Sequence, residues 1–581
     1  MSSQMSLTAI TGPRLLVIAA VLHVFLAITL FAGGRAEVAP RLIDHDGIMG
    51  SFAFDSYDYQ RGAIETSQLL RDGNLRAWAT AAQPLHVKLI AVSFTLLNPL
   101  FGYSTLSAEP YNVVCYLAII ALVFALGSEV GGRRGGVLAA VVVALWPTFL
   151  LHTLQLLKDP LFITAALAAL WCAVTLLIRT YRPAASVAVS VMAILLLLLL
   201  ALVRFSSVLL LVAVAILILA LLVVRQVRER RLLFWNMTPA IAVLLVGLIL
   251  LPFISGQNIA RIKKYPSDQV GPLKNVADPT AQVATLVTWI NRGSAERRSV
   301  VRDRLARRIS SMRSRFAASY SDAGSLLDAQ TEFRNVGDLL TYFPRALAIG
   351  MWAPFPSSWF SAGRRVGNVG KMVSGIEMLA IYLLQALAAL ALIREPRQLA
   401  RWFLVAIIVS GVTALAFIVP NAGAIYRFRY VFWILLVVAA MSGPIFSFVK
   451  QRELKRVMMT VVIAGMLAAV HGCSSHAQAV KPQNPTLALT NFTGTAFSAV
   501  YLSPSSAADW QENLLISGRQ KDGDTLEVQF EPNEKNVEWD LKVQGIDGHY
   551  AEWKNLKFDE ISEITLVLKL SPTPVVVAEI E

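Results

Sequence analysis

The chain has 581 residues, 56% of them hydrophobic and only 15% charged, with mean hydropathy +0.58 and a formal net charge of +14. So apolar a composition excludes a soluble globule, and membrane lipids rather than nucleic acid are the expected neighbours of the positive charge. The three cysteines, Cys115, Cys172 and Cys473, have no metal-like spacing and imply no disulfide framework.

Leu15 to Phe31 is apolar behind a segment whose only charge is Arg14, and no small-residue cleavage site follows it. A retained first span is expected. The next polar stretch, 33–111, carries Asp44-His45-Asp46 and then Asp55-Ser-Tyr-Asp58-Tyr59-Gln-Arg61-Gly62-Ala63. Carboxylates beside a bilayer lose solvation unless they are paired or used, so Asp55, Asp58 and Asp46 are candidate catalytic acids. On a helix Asp55, Tyr59 and Ala63 share one face. The apolar run 86–101 is expected to lie along the outer surface.

Further spans are expected near 112–129, 135–151, 161–178, 184–203, 206–224, 235–256, 372–393, 402–420, 430–449 and 457–473, about eleven in all. Lys and Arg concentrate in every second short loop: 131–136, 178–183, 225–231, 394–401 and 450–456. If these face the cytoplasm, the amino terminus is cytoplasmic. The carboxyl terminus and the loops 33–111, 152–160, 204–206, 257–371 and 421–429 are then extracytoplasmic, in a multi-pass protein of a bacterial inner membrane.

Those loops carry the remaining candidates. His152 and Lys158-Asp159-Pro160 put an imidazole, a base and an acid at the mouth of a span, where Asp159 also suits a helix start. Arg204 interrupts an apolar run, and Arg427 and Arg429 sit at the entry to another. Three arginines on the face of the carboxylates suit a phosphate. The loop 257–371 holds eighteen Lys/Arg against eight Asp/Glu. Within it Val301, Leu305, Ile309, Met312 and Phe316 recur at helical spacing opposite Arg302, Arg304, Arg308, Arg313 and Arg315, predicting a basic amphipathic helix that lies on anionic headgroups or grips a phosphate or acidic glycan. Trp352 to Trp359, rich in Pro, reads first as an interfacial anchor, with a sugar-stacking platform as the alternative.

Past Cys473, whose surroundings resemble a lipoprotein signal but read first as the end of a last span, the material changes. Residues 474–581 carry eight Lys/Arg and sixteen Asp/Glu. After a linker at 474–484, period-two patterns such as Leu526-Val528-Phe530 and Ile564-Leu566-Leu568 alternate with turn signals, predicting a small β-sandwich over 485–581. No catalytic constellation stands out there, and binding, for instance of an envelope protein, is its expected role.

The order of motifs in the membrane part, residues 1–473, resembles a family. Asp55-x-x-x-Tyr59-x-x-x-Ala63, Gln83-Pro84-Leu85, Leu100-Phe-Gly-Tyr-Ser104, the Gly132-Arg-Arg-Gly-Gly136 turn, Ala144-Leu-Trp-Pro147 and Leu157-Lys-Asp-Pro-Leu161 look like membrane glycosyltransferases of the GT-C fold. Within that fold it resembles the bacterial relatives of protein O-mannosyltransferases and the lipid A aminoarabinose transferase. The family's Asp-Glu stands here as Asp55-Ser56, which leaves Asp58 and Asp46 as alternatives for the base.

The resemblance implies transfer of a sugar from a polyprenyl-phosphate donor to a glycan, lipid or protein acceptor, with inversion. A carboxylate would act as general base while Arg427, Arg429, Arg204 and Lys158 hold the donor phosphate. Asp159, His152 and Tyr59 would serve the second loop or the acceptor. No cofactor is indicated; Asp44, Asp46, Asp58 and His152 are the candidates if a divalent metal is used. A polysaccharide polymerase or ligase, and a lipid or glycan transporter, are the competing readings.

Overall fold

The computed structural model describes residues 12–443 apart from short gaps and the stretches 273–304, 318–324 and 360–366, and residues 486–580 apart from several loops. The expected span 457–473, Cys473, the basic loop 450–456 and the linker 474–484 lie outside the described residues. The chain divides into two compact units, one of residues 1–251, 311–331 and 340–478, the other of 252–310, 332–339 and 479–581.

The first unit is helical. The helices are α1 (Gly12–Arg35), α2 (Asp55–Arg71), α3 (Leu75–Thr80), α4 (Leu85–Phe101), α5 (Glu109–Ala144), α6 (Pro147–Thr153), α7 (Asp159–Ile178), α8 (Pro183–Val203), α9 (Ser207–Glu229) and α10 (Phe234–Arg261). After α11 (305–317) follow α12 (Val336–Trp352), α13 (Gly367–Arg394), α14 (Leu399–Ile418), α15 (Ala422–Phe428) and α16 (Tyr430–Met441). Residues 252–261 of α10, 305–310 of α11 and 336–339 of α12 belong to the second unit. Seven helices are long and apolar enough to cross a membrane, and up to eight if the bent pair α15–α16 is one span. This is a polytopic helical protein.

Two differences from the expected spans stand out. The spans expected at 112–129 and 135–151 fall largely in one 36-residue helix, Glu109–Ala144, but the backbone breaks at Gly132, whose φ of +71° suits a residue without Cβ. There Gly127 and Gly136 lie back to back: a Cβ on Gly127 would come within 2.7 Å of the Gly136 Cα. The glycines thus make a tight hairpin of two arms, and Trp146-Pro147 ends the second arm and starts α6. The apolar part of α10, Phe234–Leu250, falls among the shorter apolar helices, as does α4. Every residue of α16 from Tyr430 to Met441 is buried. A helix that is apolar all round is the centre of its bundle, and α5, α13 and α14 pack against it.

The amphipathic helix is found, with Arg308 and Arg315 exposed and Ile309, Met312 and Phe316 partly buried, but two positions depart from the expected faces. In α11 Leu305 is exposed, whereas Arg313 is fully buried. Its guanidinium donates to the carbonyls of Ala416, Phe417, Leu327 and Asp328 and to the Tyr342 hydroxyl. Helical spacing cannot foresee this, because an arginine with five donors is buried at low cost wherever free carbonyls converge. Arg313 is therefore a staple and not part of a headgroup-binding face; Val301, Arg302 and Arg304 lie outside the described residues.

The second unit is a two-sheet β structure. Its strands are β1 (Lys263–Pro266), β2 (Gln269–Pro272), β3 (Thr486–Phe492), β4 (Phe497–Pro504), β5 (Thr525–Gln529), β6 (Glu538–Gly545), β7 (His549–Lys557), β8 (Glu563–Lys569) and β9 (Val575–Ile580). One sheet runs β1-β9-β8-β3-β5 and the other β2-β7-β6-β4. Val500, Leu502, Leu541, Val543, Trp553 and Leu566 form its core. The expected sandwich over 485–581 is present, and two strands from the loop 257–371 extend it: β1 pairs with β9 and β2 with β7.

Candidate active site

Four segments far apart in sequence converge at one end of the helical unit. Asp55 begins α2, Asp159 begins α7, and both carboxylates suit the positive end of a helix. The turn before α2 is held by Asp44, whose Oδ1 accepts from the Asp46 and Ile48 N–H groups at 2.9 and 2.8 Å. Gln155 ties this loop to the second one by accepting from the Met49 N–H at 2.9 Å. Pro160 in the first turn of α7 fixes the entry of that helix.

Arg427 joins the carboxylates. Its Nη2 donates to Asp55 Oδ2 at 3.0 Å, and its Nε lies 4.0 Å from Asp159 Oδ2. The second contact is electrostatic, since a hydrogen bond does not reach that far. On the other side of Asp159, His152 Nε2 lies 3.2 Å from the same oxygen. The imidazole is fully buried, with Phe52 and Tyr430 against its ring at 5.9 and 5.1 Å. Asp55 is the most open member, its side chain 35% exposed against 13% for Asp159.

Further cations and aromatics surround this core. Arg204, at the break between α8 and α9, lies over Phe162 and Phe428 at 5.7 and 5.5 Å. Lys158 has its pKa lowered by burial and then by the Arg204 charge, with Asp159 and Asp55 opposing. Tyr59 is pushed up to about 12 by burial and then by Asp55 and Asp159, so its phenol keeps its proton and can donate. His86, edge-on to Tyr59 at 4.5 Å, is pushed down to about 4 by burial and then by Lys158. It is neutral near pH 7.

The other sequence candidates are placed elsewhere. Asp58 is exposed on the far side of α2 from Ala63. Asp46 accepts from Gln60 Nε2 at 2.9 Å and lies 3.7 Å from His45. Arg429 is buried; it donates to the Gly350 carbonyl and lies over Tyr426, in contact with none of Asp55, Asp159 or His152. The cause is the 60° bend between α15 and α16, which turns it away from Arg427 two positions earlier. Among the described residues no group of three or more His, Cys, Asp or Glu stands close enough to hold a metal ion.

Two buried acids escaped the sequence reading. Glu377 on α13 accepts from the Thr148 N–H and hydroxyl at 3.0 and 2.6 Å and from the Tyr426 hydroxyl. Glu109, at the start of α5, meets His23 Nδ1 at 2.6 Å, while His23 Nε2 meets the Thr153 hydroxyl at 3.1 Å. The signal was available: a lone carboxylate or imidazole inside an apolar run.

No family model matches the chain, and no curated protein matches it. Among solved structures it is similar to the oligosaccharyltransferase of Archaeoglobus fulgidus in its apo form, at 14% identity and a TM-score of 0.40, covering 80% of this chain and 54% of that one. It is also similar to ArnT from Cupriavidus metallidurans bound to undecaprenyl phosphate, at 15% identity and a TM-score of 0.29, covering 77% of each. The chain thus spans about half the length of the archaeal oligosaccharyltransferase.

Proposed function

We propose that this protein is a membrane glycosyltransferase of the GT-C type that moves a sugar from a polyprenyl-phosphate donor to an acceptor at the end of the bundle carrying Asp55. The observation that supports it best is the Asp55–Arg427 pair at 3.0 Å, with Asp159, Lys158 and Arg204 around it. It is a carboxylate open enough to meet an acceptor, set beside cations suited to a lipid phosphate. Two of the similar structures hold a polyprenyl-type lipid phosphate, dolichol-phosphate in one and undecaprenyl phosphate in the other.

In this reading the acceptor O–H or N–H attacks the anomeric carbon from the face opposite the lipid phosphate. The new bond forms as the anomeric C–O bond to phosphate breaks, and inversion follows from the single displacement. The acceptor proton goes to Asp55, and the electron pair of the broken bond goes to the phosphate. Arg427, Lys158 and Arg204 stabilise the charge that develops there. Donor phosphate competes with Asp55 for Arg427, so binding the donor frees the carboxylate that must accept the proton. Asp159 is too enclosed to meet an acceptor; it holds His152 on one side and Arg427 on the other.

Reconstitution with a polyprenyl-phosphate sugar tests this reading. Loss of sugar from the lipid with its appearance on a single acceptor supports a transferase. Chain growth would instead indicate a polymerase, and movement without cleavage a transporter.

A further inference from the structure

The opposite end of the same unit holds a second cationic feature that this chemistry does not use. The last turns of α7 and α9, residues 397–398 and the first turn of α14 line an open cleft of about 350 Å³, with Arg225, Arg228 and Arg397 in its lining against the single acid Glu229. Its size is that of a ligand site.

The three arginines are not equivalent. Arg225 is buried and satisfied: its Nε donates to Glu229 at 2.7 Å, and its Nη1 donates to the carbonyls of Leu176 and Arg179 at 3.1 and 2.7 Å. Arg228 and Arg397 are exposed, and among the described residues neither has a carboxylate within 4.0 Å. Arg228 gives one N–H to the Arg397 carbonyl at 3.0 Å, which draws the two residues together.

Gln398 adds a further unmet requirement. Its Nε2 donates to the Val130 carbonyl at 2.9 Å, fixing the amide, while its Oε1 is buried with no hydrogen-bond partner. The remaining wall, including Leu177 and Leu399, is apolar. Two uncompensated guanidinium groups, a waiting acceptor and an apolar wall at the ends of membrane-capable helices describe an amphiphile with an anionic, hydroxyl-bearing head. A free inorganic anion would leave the wall and the acceptor unused.

We propose that this cleft binds an anionic phospholipid of the leaflet at that end of the bundle. The phosphodiester lies against Arg228 and Arg397, a headgroup hydroxyl donates to Gln398 Oε1, and the acyl chains run along the apolar helix ends. Basic pockets between membrane helices bind anionic headgroups in this way, and the planar guanidinium suits phosphate oxygens. The inference stands independently of the reaction proposed above.

The test uses the full chain in nanodiscs of phosphatidylcholine with or without a minor fraction of phosphatidylglycerol, reading retained lipid by native mass spectrometry and the thermal midpoint. Phosphatidylglycerol should be retained and should raise the midpoint. Retention should fall about 30-fold in Arg228→Ala/Arg397→Ala, while Arg133→Ala, an exposed arginine on the α5 hairpin, leaves it unchanged. Gln398→Leu should weaken retention of phosphatidylglycerol without lowering the midpoint in phosphatidylcholine alone, which keeps the test open if the double variant folds poorly. Equal retention in wild type, the double variant and Gln398→Leu would overturn the proposal. So would equal loss in Arg133→Ala, or a full midpoint shift from inorganic phosphate in phosphatidylcholine discs.

Discussion

The two ends of the helical unit both gather arginines, yet they treat them oppositely. At one end Arg427 is set between Asp55 and Asp159, within 3.0 and 4.0 Å, so the cation is compensated and a carboxylate stands ready beside it. At the other, Arg228 and Arg397 face a cleft without an acid of their own. Paired charge is what acid–base chemistry at a departing phosphate requires; unpaired charge suits holding an anion that does not react. The same residue type thus serves two ends according to whether a carboxylate was placed within reach.

The comparison breaks most sharply at Arg427. Arg427→Ala should lower sugar transfer by about 10²- to 10³-fold, the usual cost of losing one donor to a developing oxyanion. Arg427→Lys should recover only part, because a point charge lacks the planar fork. Transfer kinetics would check this, and a variant with normal transfer would make Arg427 a brace and not a phosphate ligand.

Next in size is Glu377. Truncating it in Glu377→Ala strands the Thr148 and Tyr426 donors, at an expected cost of about 1–3 kcal/mol. Because Tyr426 precedes Arg427, transfer should fall with it. Thermal unfolding in detergent measures the first effect and donor binding the second; the cleft at the far end should be unaffected.

His86 sharpens the comparison through pH. Its pKa in the folded protein, about 4, lies below the ordinary 6.5, so the unfolded chain takes up a proton first as pH falls. Stability is fully present above pH 6.5 and declines below it, by about 2 kcal/mol at pH 5 for one such group. His86→Leu should flatten that slope in thermal midpoints taken across pH 5 to 7. Lys158 should give the smallest signal. Its lowered pKa means that its contribution to donor binding is present at neutral pH and lost on raising the pH, before an ordinary lysine would lose it. Titration of donor affinity in wild type against Lys158→Ala would show it.

Much of this was legible in the sequence because hydrophobic run length and alternating basic loops are set by the bilayer itself. Ten of the eleven expected spans fall on helices, two of them on the single helix α5, and seven or up to eight of the described helices are long and apolar enough to cross a membrane; the last expected span lies outside the described residues. The loops expected to share one face do meet: Asp55 contacts Arg427 across 372 positions, and Arg204 reaches Phe428. What was not legible depends on tertiary geometry. Arg427 and Arg429 read as a pair, and only the bend between α15 and α16 separates them. Arg313 read as surface charge because spacing cannot reveal converging carbonyls. Strands β1 and β2 were hidden in a loop whose partners, β9 and β7, lie far along the chain, at Val575–Ile580 and His549–Lys557.

The most direct measurement of the central claim is sugar transfer from a polyprenyl-phosphate donor by Asp55→Asn, with donor affinity measured on the same sample. The carboxamide keeps the shape of Asp55 but cannot accept a proton, so a loss of about 10²- to 10⁴-fold in rate with donor affinity nearly intact is the expected result. Near-normal transfer by Asp55→Asn, with collapse instead in Asp58→Asn or Asp46→Asn, would move the base to that neighbour. Normal transfer in all three would contradict the account.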